Sequence, residues 1–274
     1  TTLNMLIEDF GDIPLGKLTR EMGTRFKEHL RKLPKNRTKN PKFRDKDFHQ
    51  LVKMDVDSKD REKFETALAN KTKIYNSKKG QQEVYTFSIT SGKDIYKYVR
   101  VVVNESFGDF GNNQRNTSEG VKYFRKNVGP YVNNLGAYYM RADEDASHTP
   151  NNGEFQNDVN FRRVILYDYK DSHREDFWRF RYRAKQAMEK MGGKRMGVLR
   201  CFSGCTGNKV MIRFPFKNPK GDEEFFNNIS KVRDSYDSLF GDGSFSDDID
   251  RMWNSLESKR VWHEVRRNKL SSPF

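Results

Sequence analysis

The sequence predicts an α+β fold. A small basic helical module and a β-hairpin come first, and a C-terminal unit of order β-α-β-β-α-α follows, with its helices packed on a small sheet. Two observations lead to this prediction. Runs of β-branched and aromatic residues flank turn residues, which is typical of hairpins, and segments with apolar residues at helical spacing follow or precede them. The 21 Phe, 12 Tyr and 3 Trp among 274 residues indicate that the chain can fill a core although 33% of it is charged.

Shifts in composition divide the chain into four regions. We expect a basic helical module over 1–60, a hairpin and helix region over 61–141, a linker or mobile loop over 142–158, and an α+β domain over 159–274. The boundary falls at 142–158 because this stretch is polar and rich in Asn and acidic residues. No internal repeat is evident in the sequence.

The first half contains three predicted elements besides its loops. Residues 16–33 have the apolar spacing of a helix that ends at Pro34, and a second short helix is predicted over 46–54. The runs 83–90 and 93–103 flank Ser91-Gly92, which predicts a hairpin. A helix over 119–140, interrupted at Gly129-Pro130, should follow.

The last third has the clearest pattern. Residues 163–169 form a short apolar run that predicts a buried strand, and a helix over 172–191 should begin with a capping box of Ser172 and Glu175. Strands are predicted over 196–203 and 208–216. A helix from the acidic turn at 222–224 to about 240, a final helix capped by Ser246 and a basic tail complete the unit.

The net charge of +14 is concentrated near the start of the chain. Between Lys17 and Lys46 there are twelve basic residues against three acidic ones. Because phosphates neutralised by Lys or Arg release counterions, this segment predicts a nucleic-acid partner, duplex DNA or RNA. The alternative is a solvated basic face. The residues expected to contact phosphates are Arg25, Arg31, Lys32, Lys35, Arg37, Lys39, Lys42 and Arg44.

The predicted helix over 172–191 offers a second binding face. Arg174, Trp178 and Arg181 follow one another at spacings of four and three residues, so basic groups for phosphates and a ring for base stacking are interleaved. The alternative is a solvated basic face with Trp178 packed on a neighbouring element.

The segment 12–54 resembles the end of the core-binding domain of phage-type tyrosine recombinases, on the motifs LTREM, LRKLPKNR and FRDK. The resemblance implies a small helical module that grips duplex DNA through its phosphates. The catalytic parts of that family do not carry over. His263 and Arg266 match its His-x-x-Arg element, but no Tyr follows them to act as the nucleophile.

Cys201 and Cys205 are expected to be reduced thiols, since no second Cys/His pair stands at zinc-ligand spacing. We therefore expect no metal and no cofactor. No apolar run is long enough to cross a bilayer and no signal peptide is evident, so a cytoplasmic protein without a membrane partner is expected.

These observations predict a non-catalytic nucleic-acid-binding protein of phage or mobile-element type. The first alternative is a structural or assembly component, of a virion or multi-protein complex, with a basic docking arm. The second is a Mg²⁺-dependent nuclease, in which Asp158 and Asp168 would hold the ion and Lys170 would orient water or offset charge at the phosphate.

Overall fold

The computed structural model describes Thr19 and residues 48–104, 106–111, 118–150, 159–192 and 194–273. Residues Asp45–Phe274 belong to one compact unit. Apart from Thr19, the helix predicted over 16–33 lies outside the described residues, as does most of the recombinase-like segment. Residues 48–54 of that segment are described, and they form a strand where a short helix was predicted.

Strands of the described residues close into an eight-stranded antiparallel barrel. Its order is β1-β3-β2-β8-β5-β7-β6-β4, and β4 pairs with β1 to close it. The prediction of a small helical module beside a small sheet is therefore wrong. The strands are β1 (Phe48–Asp55), β2 (Glu83–Ile89), β3 (Tyr98–Asn104), β4 (Asn134–Ala142), β5 (Phe161–Tyr169), β6 (Gly197–Ser203), β7 (Asn208–Phe216) and β8 (Leu256–Arg266).

The barrel consists of two topologically equivalent halves. The first half runs β1-α1-β2-β3-α2-β4, and the second half runs β5-α3-β6-β7-α4-α5-α6-β8. In the sheet of each half, the fourth strand pairs with the first, the first with the third, and the third with the second. The halves join where β2 pairs with β8 and where β4 pairs with β6. The helices are α1 (Arg61–Tyr75), α2 (Ser118–Tyr123), α3 (Arg174–Lys190), α4 (Pro219–Asn227), α5 (Ser230–Phe240) and α6 (Ser244–Asn254).

Apolar side chains form three clusters. One fills the barrel, and every strand contributes to it, for example through Leu51, Val101 and Met211. The second and largest lies between the outer face of the second half and α3, α5 and α6. The third lies under α1 on the outer face of the first half. Because successive side chains of a strand point to opposite faces of the sheet, each half-sheet contributes side chains both to the barrel interior and to an outer apolar cluster.

Several predicted elements are confirmed. The hairpin about Ser91-Gly92 is β2 and β3, and the predicted strands over 196–203 and 208–216 are β6 and β7. The helix over 172–191 is α3, with its apolar stripe in the core. The predicted capping box is wrong, because the residue before α3 is His173 and no side chain caps the helix.

Three further segments that were not predicted to be strands form strands. The helix predicted over 46–54 is wrong, because its described residues 48–54 belong to β1. The second part of the helix predicted over 119–140 is β4, and the basic tail belongs to β8. Each of these segments mixes polar and apolar residues, so its pairing with distant strands decides its structure. The segment predicted as one helix up to residue 240 is divided into α4 and α5.

Cys201 and Cys205 form a disulfide between the end of β6 and the following turn, so the prediction of reduced thiols is wrong. No helix among the described residues is long and apolar enough to cross a membrane.

Candidate functional site

A cavity of about 310 Å³ lies beside the turn between β2 and β3. This volume is at the lower end of the range that small-molecule sites occupy. Strand β8 forms the opposite wall of the cavity. The lining residues are Ser91, Gly92, Lys93, Asp94, Arg260, Val261 and Trp262.

The β2–β3 turn is fixed against β8 by hydrogen bonds. Thr90 N–H donates to the carbonyl oxygen of His263 at 2.9 Å, and His263 N–H donates to Ser91 Oγ at 2.8 Å. Gly92 has a φ of +83°, and a Cβ there would lie 3.5 Å from Cβ of Trp262. Glycine therefore permits both the left-handed turn and its close approach to β8.

Ser91, His263 and Asp222 form a continuous hydrogen-bonded chain. Ser91 Oγ lies 3.1 Å from His263 Nδ1, and His263 Nε2 lies 3.2 Å from Asp222 Oδ2. An ionised carboxylate can only accept, so Nε2 carries the proton that bonds Asp222. In the neutral imidazole Nδ1 is then the acceptor, and Ser91 Oγ–H donates to it. The three side chains are thus ordered as nucleophile, base and orienting carboxylate.

The carboxylate of Asp222 is held in place from two sides. It lies buried in the first turn of α4, where the helix dipole favours an anion. Arg163 on β5 binds both of its oxygens, with Nε 2.9 Å from Oδ1 and Nη2 2.8 Å from Oδ2. The ring of Phe161 stacks on His263, with centroids 5.3 Å apart and planes 17° apart. The imidazole is consequently fixed at both nitrogens and on one face.

Cations surround Asp94 at the cavity. Lys53 Nζ lies 2.6 Å and Arg260 Nη2 2.8 Å from Asp94 Oδ2, and Lys97 Nζ lies 3.5 Å from Oδ1. Burial alone would raise the pKa of Asp94, but the hydrogen bonds and charges of Lys53 and Arg260 outweigh it and hold the pKa at about 2. Asp94 is therefore ionised at neutral pH.

The residues predicted to bind nucleic acid do not form a common surface in the described part of the chain. Arg174 is exposed and paired with Asp171. Trp178 and Arg181 are buried, where Trp178 contacts neighbouring rings and the Arg181 guanidinium lies 4.5 Å from the ring centroid of Phe180. Both side chains are therefore buried and cannot contact a nucleic acid in this fold, because the buried face of α3 includes them in addition to the predicted apolar residues. The predicted contacts Arg25, Arg31, Lys32, Lys35, Arg37, Lys39, Lys42 and Arg44 lie outside the described residues.

The proposed nuclease residues have other partners. The carboxylate of Asp168 pairs with Lys209, and Lys170 Nζ donates to the carbonyl oxygen of Asn254 at 3.1 Å. Asp158 lies outside the described residues. Within those residues, no group of three or more His, Cys, Asp or Glu side chains could hold a metal ion.

The hydrogen bonds that link Ser91, His263 and Asp222 were not predicted from the sequence. Ser91 was read only as a turn residue, His263 as part of a recombinase-like element, and Asp222 as the start of a helix. These residues are 172 and 41 positions apart along the chain, so only the closed barrel brings them together. Single-sequence patterns carry no signal for such a contact.

No family model and no curated protein matches the sequence. Solved structures are similar in fold. A candidate monooxygenase from Lactobacillus acidophilus NCFM aligns with a TM-score of 0.52 and 12% identity, over 80% of this chain and 93% of its own. An anthrone oxidase-like protein aligns with a TM-score of 0.53 and 13% identity, over 82% of this chain and 92% of its own.

A mutant chlorite dismutase from Candidatus Nitrospira defluvii aligns with a TM-score of 0.51 and 9% identity, over 81% of this chain and 92% of its own. These similarities overturn the prediction of a non-catalytic nucleic-acid-binding protein of phage or mobile-element type. That prediction treated a small basic helical module as the main unit, whereas most of the chain aligns with barrels of this kind. The chain therefore has the fold of a group of structures that are named for enzymes.

Proposed function

We propose that this protein is an enzyme that transfers or hydrolyses the acyl group of a small ester at the cavity beside the β2–β3 turn. The observation that carries the proposal is the hydrogen-bonded chain from Ser91 through His263 to Asp222 at the edge of this cavity. The names of the similar structures favour an enzyme over a binding module. The chemistry itself is argued from the residues of this chain.

In the proposed reaction Ser91 Oγ attacks the ester carbonyl carbon and its proton passes to His263 Nδ1. Asp222 stabilises the imidazolium through Nε2–H. Lys93 lines the cavity in the same turn as Ser91 and supplies positive charge for the oxygen that becomes negative. His263 then protonates the leaving alcohol, and a water molecule, activated by the same imidazole, releases the acid and restores Ser91.

Haem is the cofactor that the fold comparison suggests, but the helical layer on the second half of the barrel has no room for it. The layer between the second half of the barrel and its helices is filled by packed rings. Tyr169 stacks on Phe177 with centroids 4.8 Å apart, and Phe180 contacts Tyr236 and Phe245 at 5.8 and 5.7 Å. A flat macrocycle would have to expel these rings from the largest core cluster. No step of the proposed reaction passes through haem.

The proposal is tested by hydrolysis of short-chain 4-nitrophenyl esters and by labelling with a fluorophosphonate, followed by mass spectrometry. We expect the label on Ser91. We expect Ser91→Ala and His263→Gln to reduce kcat/KM by about 10³-fold or more, as removal of a triad member does.

Ser258→Ala is the matched control, because Ser258 is an exposed serine on β8. Its kcat/KM should equal that of the parent. Hydrolysis that survives Ser91→Ala unchanged, together with a label on another residue, would exclude the proposed nucleophile.

A further inference from the structure

The cavity has more positive than negative charge around it. Lys53, Lys97 and Arg260 contact Asp94, and Lys97 also contacts Asp55, with Nζ 3.1 Å from Oδ2. Lys93, a further cation, lines the cavity. Four cations therefore stand against two carboxylates among the described residues here. This excess attracts an anion into the cavity.

Arg260 keeps donors that can reach a ligand. Of its guanidinium nitrogens, Nη2 donates to Asp94 at 2.8 Å, and in the described part of the chain no other acceptor is bonded to this side chain. A guanidinium carries five N–H donors in a planar fork that suits carboxylate and phosphate oxygens. The side chain is 39% exposed, so the remaining donors are accessible. Asp94 holds Arg260 and Lys53 in position without using all their donors.

The charged and nucleophilic residues line one cavity. Ser91 belongs to the β2–β3 turn and Arg260 to the facing strand β8, and both line the cavity. A volume of about 310 Å³ is enough for a short ester that reaches both Ser91 and Arg260.

We infer that the ester carries a second, anionic group, which binds Arg260 with Lys53 while its carbonyl lies against Ser91. This inference rests on the proposed function. The substrate class is a monoester of a short dicarboxylic acid or a short ester with a phosphate at its far end. In either case the reaction balances as an ester hydrolysis, with water consumed and one acid and one alcohol released.

The test compares 4-nitrophenyl hemisuccinate with the neutral 4-nitrophenyl butyrate. The protein should prefer the charged ester in kcat/KM by about tenfold to hundredfold, the range expected for hydrogen bonds to a charged group. Arg260→Gln should remove most of this preference while hydrolysis of the butyrate is retained. Arg251→Gln removes an exposed arginine on α6 and should leave the preference unchanged.

Binding of succinate and of inorganic phosphate, measured by calorimetry, gives a readout that does not depend on catalysis. Binding that Arg260→Gln abolishes supports the anion site even when neither ester is hydrolysed, and the stronger ligand identifies the anionic group. Equal hydrolysis of both esters that depends on Ser91 would leave the proposed function standing and overturn this inference. Absence of succinate and phosphate binding would overturn it as well.

Discussion

Arg162 and Glu264 form a buried ion pair on adjacent strands, β5 and β8. Arg162 Nε donates to Glu264 Oε2 at 2.5 Å, and the other carboxylate oxygen accepts from Trp262 Nε1 at 2.6 Å. The guanidinium carbon also lies 3.4 Å from the ring centroid of Phe87. Both charges are thus satisfied by fixed partners in a place where water does not screen them.

Glu264→Gln should lower the free energy of unfolding by about 3–5 kcal/mol, because it leaves the charge of Arg162 buried without its counter-charge. The measurement is urea denaturation followed by circular dichroism. Glu257→Gln is the matched control, since Glu257 is an exposed residue of the same strand and should change stability by less than about 0.5 kcal/mol. Equal effects of the two substitutions would contradict a structural role for the pair.

Gly207→Ala should destabilise the protein more than Gly80→Ala. Both glycines have positive φ, +75° and +90°, so both substitutions carry a backbone cost of about 1–2 kcal/mol. A Cβ at 207 would also lie 2.5 Å from Asp168 Oδ1, whereas a Cβ at 80 would have no neighbour within 4 Å. Gly207→Ala must therefore displace the carboxylate that pairs with Lys209.

Thermal or urea unfolding of the two variants measures the difference. We expect Gly207→Ala to cost about 1–3 kcal/mol beyond the cost of Gly80→Ala, as steric overpacking does. If the two variants unfold alike, the contact with Asp168 contributes nothing to stability.

The stability of the protein should rise with pH through the titration of Lys71. Burial, with a smaller contribution from the charge of Arg100, lowers the pKa of Lys71 from 10.5 to about 7. Between these values the unfolded chain binds a proton that the folded protein does not, so the free energy of unfolding increases with pH there. Below pH 7 Lys71 is protonated in both states and contributes no slope.

Lys71→Met should remove up to about 1.4 kcal/mol per pH unit from the slope between pH 7 and 10, the limit for a single titrating group. Urea denaturation at a series of pH values measures it. Lys73→Met is the control, because Lys73 is exposed on the same helix and should leave the slope unchanged. An unchanged slope in Lys71→Met would show that Lys71 stays protonated.

The elements that could be predicted are those whose structure is determined by residues close together in the sequence. The hairpin β2–β3 has β-branched and aromatic runs about a Ser-Gly turn, and α3 has a continuous apolar stripe, so both were predicted. The strand β8 was not predicted, because residues 257–260 near its start are polar and its pairing with β5 joins residues that are about a hundred positions apart. Closure of the barrel is a long-range property that composition and periodicity do not encode.

The candidate site was unpredictable for the same reason. Arg163 and Asp222 are 59 positions apart and come from a strand and a helix start, and neither residue is unusual in its local context. The basic segment before residue 47 has the highest concentration of positive charge in the sequence. It led the functional prediction toward nucleic acid, although the residues of the cavity lie elsewhere.

Arg163 should act as a positioning residue for the proposed reaction. It binds both oxygens of Asp222, and its guanidinium lies 4.1 Å from the ring centroid of Phe226, so it fixes the carboxylate that orients His263. It does not line the cavity. Loss of Arg163 should therefore reduce kcat and leave KM unchanged, since a misaligned imidazole affects proton transfer and not substrate binding.

We expect Arg163→Gln to reduce kcat for 4-nitrophenyl esters by about tenfold to hundredfold. Arg163→Lys keeps the positive charge but loses the planar pair of donors that binds both carboxylate oxygens, so it should recover kcat only in part. Arg174→Lys alters an exposed ion pair on α3 and should leave kcat and KM unchanged. A KM that rises with unchanged kcat in Arg163→Gln would instead place this residue in substrate binding.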